Sequence, residues 1–132
     1  MPESQTHLNL VQNIKTCIDL DIPNSKNFLI LSDTPESLNN LPPKINDEFR
    51  PDVFAEDNNS RIIIGEAKTT KDLETLHSKN QIKCFIHYLM KKEDSVFILA
   101  TPLYSINAAK NLIRIIKRKL GAENVKSKCI TG

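Results

Sequence analysis

The chain has 132 residues, 39% of them hydrophobic, with 18 Lys/Arg against 16 Asp/Glu and a formal net charge of +2. That length suits one core-bearing domain over residues 1–132 and is too short for two. No apolar run approaches the roughly 20 residues that span a bilayer, and the opening Met-Pro-Glu-Ser-Gln-Thr-His lacks the basic start and apolar stretch of a signal peptide. A cytoplasmic protein without a membrane partner is therefore expected. Cys17, Cys84 and Cys129 are odd in number and form no Cys-x-x-Cys pair, which argues against both a disulfide framework and a zinc site.

Leu8, Val11, Ile14, Cys17 and Ile18 recur by threes and fours, which predicts an amphipathic helix from about Glu3 to Asp19. Glu3 and His7 lie four apart near its start and share a face. Asn27 to Ser32 contains Phe28-Leu29-Ile30-Leu31, a strand-length run that is apolar on both sides. Ser32 to Asn46, with Pro35, Pro42 and Pro43, cannot sustain a helix or a central strand and is read as a long loop. Such a loop either covers a substrate or only spans the distance.

Residues 50–68 then read as a β-hairpin. Val53 to Ala55 is short and apolar, Asp57-Asn58-Asn59-Ser60 is a turn cluster, and Arg61 to Lys68 is first β-branched and then alternating. A three-residue loop, Asn58 to Ser60, pairs Asp57 with Arg61, Phe54 with Ile64 and Asp52 with Glu66. Side chains two apart share a face, so Ile62, Ile64, Glu66 and Lys68 project together. A two-residue slip would keep those faces, while a one-residue slip would separate the two carboxylates.

Ser78 and Gln81 have capping-box spacing, so the next helix is expected from about Lys79, with Ile82, Phe85, Ile86, Leu89 and Met90 buried and Lys91-Lys92 at its end. Asp72 and His77 fall in the connection before it, either bordering the site or as ordinary loop residues; no spacing rule requires the former. Ser95 to Thr101 is an unbroken apolar run, as in a central strand buried on both faces. Ser105 caps a further helix with Ile106, Ala109, Ile113, Ile116 and Leu120 inward and Gly121 as its stop. Val125 to Ile130 closes the chain as a strand, parallel to its predecessor across the helix. From Ser105 onward seven Lys/Arg stand against Glu123 alone. Lys110, Arg114, Lys117 and Arg118 fall on the outer side of that helix, as a flank for phosphates or as a solvated face.

Two neighbouring carboxylates repel unless one keeps a proton or a cation sits between them. A hard divalent ion resolves the conflict, and an ammonium two residues along the strand is placed to act on a water attacking phosphorus. Pro51-Asp52, an apolar strand, a turn, a second apolar strand and Glu66-Ala67-Lys68 resemble the signature of the PD-(D/E)XK nuclease superfamily. The motif agreement covers about Arg50 to Leu89, and the element order agrees over nearly the whole chain.

The resemblance implies an α/β, restriction-endonuclease-like α-β-β-β-α-β core. Its mixed central sheet is flanked by helices, and this chain adds a C-terminal helix and strand. It implies a Mg²⁺- or Mn²⁺-dependent nuclease hydrolysing DNA phosphodiesters. Asp52 and Glu66 hold the ion, the Ala67 carbonyl is a further ligand, and Lys68 positions the hydrolytic water. Many members carry an acid in the first helix that reaches the metal; Glu3 stands at that place, and a first-turn charge is the competing role. Many also carry Gln or Lys on the helix after the Glu-x-Lys strand, where Gln81 is either a site residue or the capping-box partner. With no obvious base-reading element, recognition of a DNA structure or end, or recruitment by a protein partner, is expected, and homodimerisation fits the family. The alternative is a catalytically inactive binding module that keeps the nuclease fold.

Overall fold

The computed structural model describes residues 4–37 and 40–131. Helix α1 (Gln5–Asp21) is capped by Ser4, whose hydroxyl accepts from the His7 N–H. Strand β1 (Leu29–Ser32) is followed by the long connection, and then by the hairpin of β2 (Val53–Glu56) and β3 (Ile62–Ala67). A short helix α2 (Thr70–Leu73) leads into α3 (Leu76–Leu89), β4 (Val96–Ala100), α4 (Ile106–Leu120) and β5 (Lys126–Ile130). The five strands form one mixed sheet in the order β1-β2-β3-β4-β5, antiparallel from β1 to β3 and parallel from β3 to β5. Helices flank it on both sides. Among the described residues, no helix is long and apolar enough to cross a membrane.

The pleat of β3 sorts its side chains between two cores. Ile62 and Ile64 face α3 and α4, joining Ile82, Phe85, Ile86, Leu89, Ile113 and Ile116. Ile63 and Ala67 face α1, joining Leu10, Val11, Ile14 and Ile18. Every residue of β3 and β4 is buried, as expected of central strands covered on both faces. The hairpin register is the expected one: Phe54 pairs with Ile64, and the Asp57 N–H donates to the Arg61 carbonyl across the turn.

Four features differ from the sequence reading, each for a local reason. Helix α1 begins at Gln5 because Ser4 supplies its cap; Glu3 lies outside the described residues. Strand β1 is not apolar on both covered faces: it is a sheet edge, and Leu29 is 69% exposed. Helix α3 starts at Leu76 rather than Lys79, because the Thr75 hydroxyl accepts from the Ser78 N–H and takes the capping role expected of Ser78. Ser105 precedes α4 without capping it; its hydroxyl is hydrogen-bonded to the Thr70 hydroxyl at 2.7 Å. Gly121 ends α4 in the left-handed region, at φ 68°, as expected.

Gly65 sets how closely α1 lies on the sheet. A Cβ at that position would stand 2.5 Å from Ile14 Cγ2 and 3.3 Å from Val53 Cβ. Ile14 Cγ2 sits on a β-branched carbon and cannot swing aside, so the helix itself must move. Gly65→Ala is therefore expected to destabilise the protein by about 1–3 kcal/mol, the usual cost of overpacking. Urea unfolding of Gly65→Ala, Ile14→Ala and the double variant checks this: the double variant should lose less stability than the sum of the two singles.

Candidate functional site

Continuing the hairpin register one step past Val53–Gly65 brings Asp52 opposite Glu66, at the C-terminal end of β3. The two strands exchange bonds there through their carboxylates. The Asp52 N–H donates to Glu66 Oε1 at 2.9 Å, and the Ala67 N–H donates to Asp52 Oδ2 at 2.8 Å. Hydrogen bonds to ionised oxygens are stronger than neutral ones, so this crossed pair holds both side chains as well as both backbones. Lys68 follows on the same face. Its backbone N–H donates to the Ala100 carbonyl at 2.9 Å, extending the β3–β4 ladder, and its Nζ lies 3.2 Å from Glu66 Oε2.

Helices from both layers complete the cluster. From α3, Gln81 Oε1 accepts a hydrogen bond from Lys68 Nζ. From the first turns of α1, His7 Nε2 lies 3.3 Å from Asp52 Oδ2. The row His7, Asp52, Glu66, Lys68 and Gln81 thus crosses the end of the sheet from one flanking layer to the other.

Glu66 is 2% exposed. Burial pushes its carboxyl well above the ordinary value of 4.5, the neighbouring Asp52 charge pushes it further, and the Lys68 ammonium opposes both. Among the described residues, no three His, Cys, Asp or Glu side chains gather closely enough to hold an ion by themselves. The donor set nevertheless fits Mg²⁺ or Mn²⁺, which are commonly held by one or two carboxylates with water and phosphate oxygens filling the remaining positions. Two converging carboxylates in mutual conflict are the feature that meets this requirement.

The sequence-predicted residues divide into those the fold gathers and those it leaves apart. Asp52, Glu66, Ala67, Lys68 and Gln81 come together, and Gln81 is engaged with Lys68 instead of closing a capping box. His77 lies away from the loop expected to border the site: it belongs to α3 and packs edge-on against Phe49, with ring centroids 5.6 Å apart. Asp72 is exposed in the short α2. Lys110, Arg114, Lys117 and Arg118 line a groove of about 480 Å³ between α4 and β5, with Ser127 and Cys129 on its other wall and Glu123 at its end. Two contacts had no sequence signal. His7 meets Asp52 across 45 residues, and Thr70 meets Ser105 across 35.

No family model, curated protein or solved structure gives a significant match to this chain.

The raised Glu66 value fixes the sign of one pH effect. A carboxyl that binds its proton more tightly in the folded state contributes stability below its ordinary value, and that contribution is lost as pH rises through the folded value. Unfolding free energy in EDTA should therefore fall for the wild type relative to Glu66→Gln as pH increases from about 4.5. Parallel pH profiles for the two proteins would mean that the Glu66 carboxyl is as well solvated folded as unfolded.

Proposed function

We propose that this protein is a metal-dependent nuclease of PD-(D/E)XK type acting on DNA. The observation that carries the reading is the convergence of Asp52 and Glu66 at the end of the β2–β3 hairpin with Lys68 beside them. The element order supports it as well: a helix, an antiparallel three-stranded meander, a helix and a parallel strand follow one another as in a restriction-endonuclease-like core. The cluster also lies at the C-terminal ends of the parallel strands β3 and β4, where open α/β sheets bind their ligands.

In this reading Asp52 and Glu66 hold Mg²⁺ or Mn²⁺, with the Ala67 carbonyl as a further ligand. The bound ion supplies Lewis-acid stabilisation of the charge that builds on the phosphate. Lys68 Nζ orients the attacking water and donates to the phosphate oxygens. Gln81 restricts the Lys68 side chain, so less rotamer freedom is lost when substrate arrives. The basic side chains along α4 attract the DNA backbone. Substrate choice then rests on DNA structure, on a free end or on a recruiting protein partner, and the chain acts alone or as a homodimer.

Cleavage of linear, nicked, flapped and four-way-junction DNA with Mg²⁺, with Mn²⁺ and with EDTA tests the assignment. Asp52→Ala and Glu66→Ala should each abolish both divalent-ion binding and cleavage while the far-ultraviolet circular dichroism is retained. Lys68→Ala should still bind the ion but cleave about a hundredfold more slowly or worse, the usual contribution of a positioned proton-transfer group. Cleavage that persists undiminished in EDTA would overturn the reading.

The role of α4 is tested separately. Neutralising Lys110, Arg114 and Lys117 together should weaken binding alike for every DNA sequence and flatten the log–log salt dependence by up to about 0.9 per lost contact on duplex, or about 0.7 on a single strand. The melting temperature should barely move, because the buried Ala109, Ile113 and Ile116, rather than the cations, hold α4 to the core. Filter binding at two salt concentrations is sufficient, and an unchanged slope would remove α4 from the DNA path.

A further inference from the structure

Between the carboxylate cluster and the basic face of α4 lies a tight turn, Leu103–Ser105, that exposes its two large apolar side chains. Leu103 is 69% exposed and Tyr104 82%. Leaving both in water forgoes the stabilisation that burial of their apolar surface would bring. The turn is nevertheless held firmly. Ser105 is buried beneath it, the Ser105 N–H donates to the Pro102 carbonyl at 2.9 Å, and the Ser105 hydroxyl meets that of Thr70 at 2.7 Å. Thr70 is two residues beyond Lys68. The turn that carries Tyr104 is thereby held at the end of the sheet that carries Asp52, Glu66 and Lys68.

A polar stripe leads away from this turn along α4. Asn107, Lys110, Asn111 and Arg114 line a shallow hollow of about 220 Å³, and Lys110 and Arg114 also belong to the larger groove that continues past Lys117 and Arg118. Asn111 accepts a hydrogen bond from the Arg114 guanidinium and so orients it. From Asn107 to Arg118 the stripe runs about 16 Å at 1.5 Å per residue. It forms a band of amides and cations along one face of the helix.

We propose that this edge binds single-stranded DNA, with the Tyr104 ring stacked on an unpaired base beside the carboxylate cluster and the α4 stripe following the backbone of that strand. The proposal rests on the nuclease reading for the direction of the strand and names the substrate class of that site. An exposed aromatic face gains from nucleic acid only where a base is unstacked, and such stacking tolerates any base. A band of cations confined to one helix face follows one backbone. A protein partner fits less well: two apolar side chains beside a basic stripe fall far short of the roughly 800 Å² per partner that a stable interface buries.

The chain contains no tryptophan, so Tyr104→Trp introduces a single indole at the proposed stacking position. Its fluorescence is titrated in EDTA with oligothymidylate and with a blunt-ended duplex hairpin, and the affinity of Tyr104→Ala and Tyr104→Phe for labelled oligothymidylate is measured by anisotropy. The expected result is quenching by the single strand without quenching by the duplex, an affinity loss of about tenfold in Tyr104→Ala, and retention in Tyr104→Phe. Absence of quenching, equal quenching by both DNAs, or wild-type affinity in Tyr104→Ala overturns the proposal and leaves the turn as a protein-docking surface. Because Tyr104→Ala needs no reporter at the site, the test holds even if the indole disturbs the turn. Quenching by the single strand without Mg²⁺-dependent cleavage sustains the binding inference while removing the nuclease reading; cleavage of duplex DNA without quenching does the reverse.

Discussion

The exchange of bonds between Asp52 and the end of β3 is the interaction on which the rest of the site depends. A carboxylate as buried as Glu66 is unfavourable in its charged form, and a second carboxylate beside it makes matters worse. The Asp52 and Ala67 N–H groups and the Lys68 ammonium each offset part of that cost. All three donors are positioned by strand register. Shifting β2 against β3 by one residue would break the crossed bonds and turn the side chains from one layer to the other. The core and the cluster are compatible with the same register: Phe54 and Ile64 pair directly in the register in which Asp52 and Glu66 meet.

The two helical layers close this arrangement from opposite sides. On one face α1 lies against the sheet at Gly65, where the missing side chain leaves room for Ile14, and the first turns of the same helix carry His7 to Asp52. On the other face α3 buries Ile82, Phe85, Ile86 and Leu89 and brings Gln81 to Lys68. Neither helix gains much from its polar contact alone, since a net hydrogen bond contributes only about 1 kcal/mol. Apolar packing sets the helix positions, and the polar contacts are fixed as a consequence. That division suits a functional cluster, because the cost of gathering like charges is met by a core that does not share their chemistry.

Charge is distributed along the sheet to match. The acidic pair lies at the end of β3, whereas α4 carries Lys110, Arg114, Lys117 and Arg118 beside the edge strand β5. Helix α4 starts at the same end of the sheet as the acidic pair, because the turn before it is tied to Thr70 through Ser105. Its cations consequently recede from the cluster in sequence order. An anionic polymer laid along them would be led towards the carboxylates, and it would be held away from them without a cation to neutralise the pair. A divalent ion between Asp52 and Glu66 would remove that repulsion, so ion binding and polyanion binding are expected to reinforce one another.

Much of this was legible in the sequence because it depends on short-range pattern. The alternation from Ile62 to Lys68, the turn at Asp57 to Ser60 and the run from Ser95 to Thr101 announce the hairpin and the central strand, and a fixed loop length sets the register that joins Asp52 to Glu66. The basic stripe and the Gly121 stop of α4 follow from helical spacing alone. Helix starts were less legible, because Thr75, Ser78 and Ser105 are all competent caps and only the folded backbone decides which hydroxyl is free to serve. Thr75 caps α3, while Ser105 is drawn to Thr70. The membership of the cluster belonged to tertiary structure in the same way. His7 reaches Asp52, and Gln81 reaches Lys68 instead of closing a cap, only because helices on opposite faces are pressed onto one strand by apolar contacts far from the carboxylates. Local spacing determines which residues share a face; which faces meet is decided by how the cores pack.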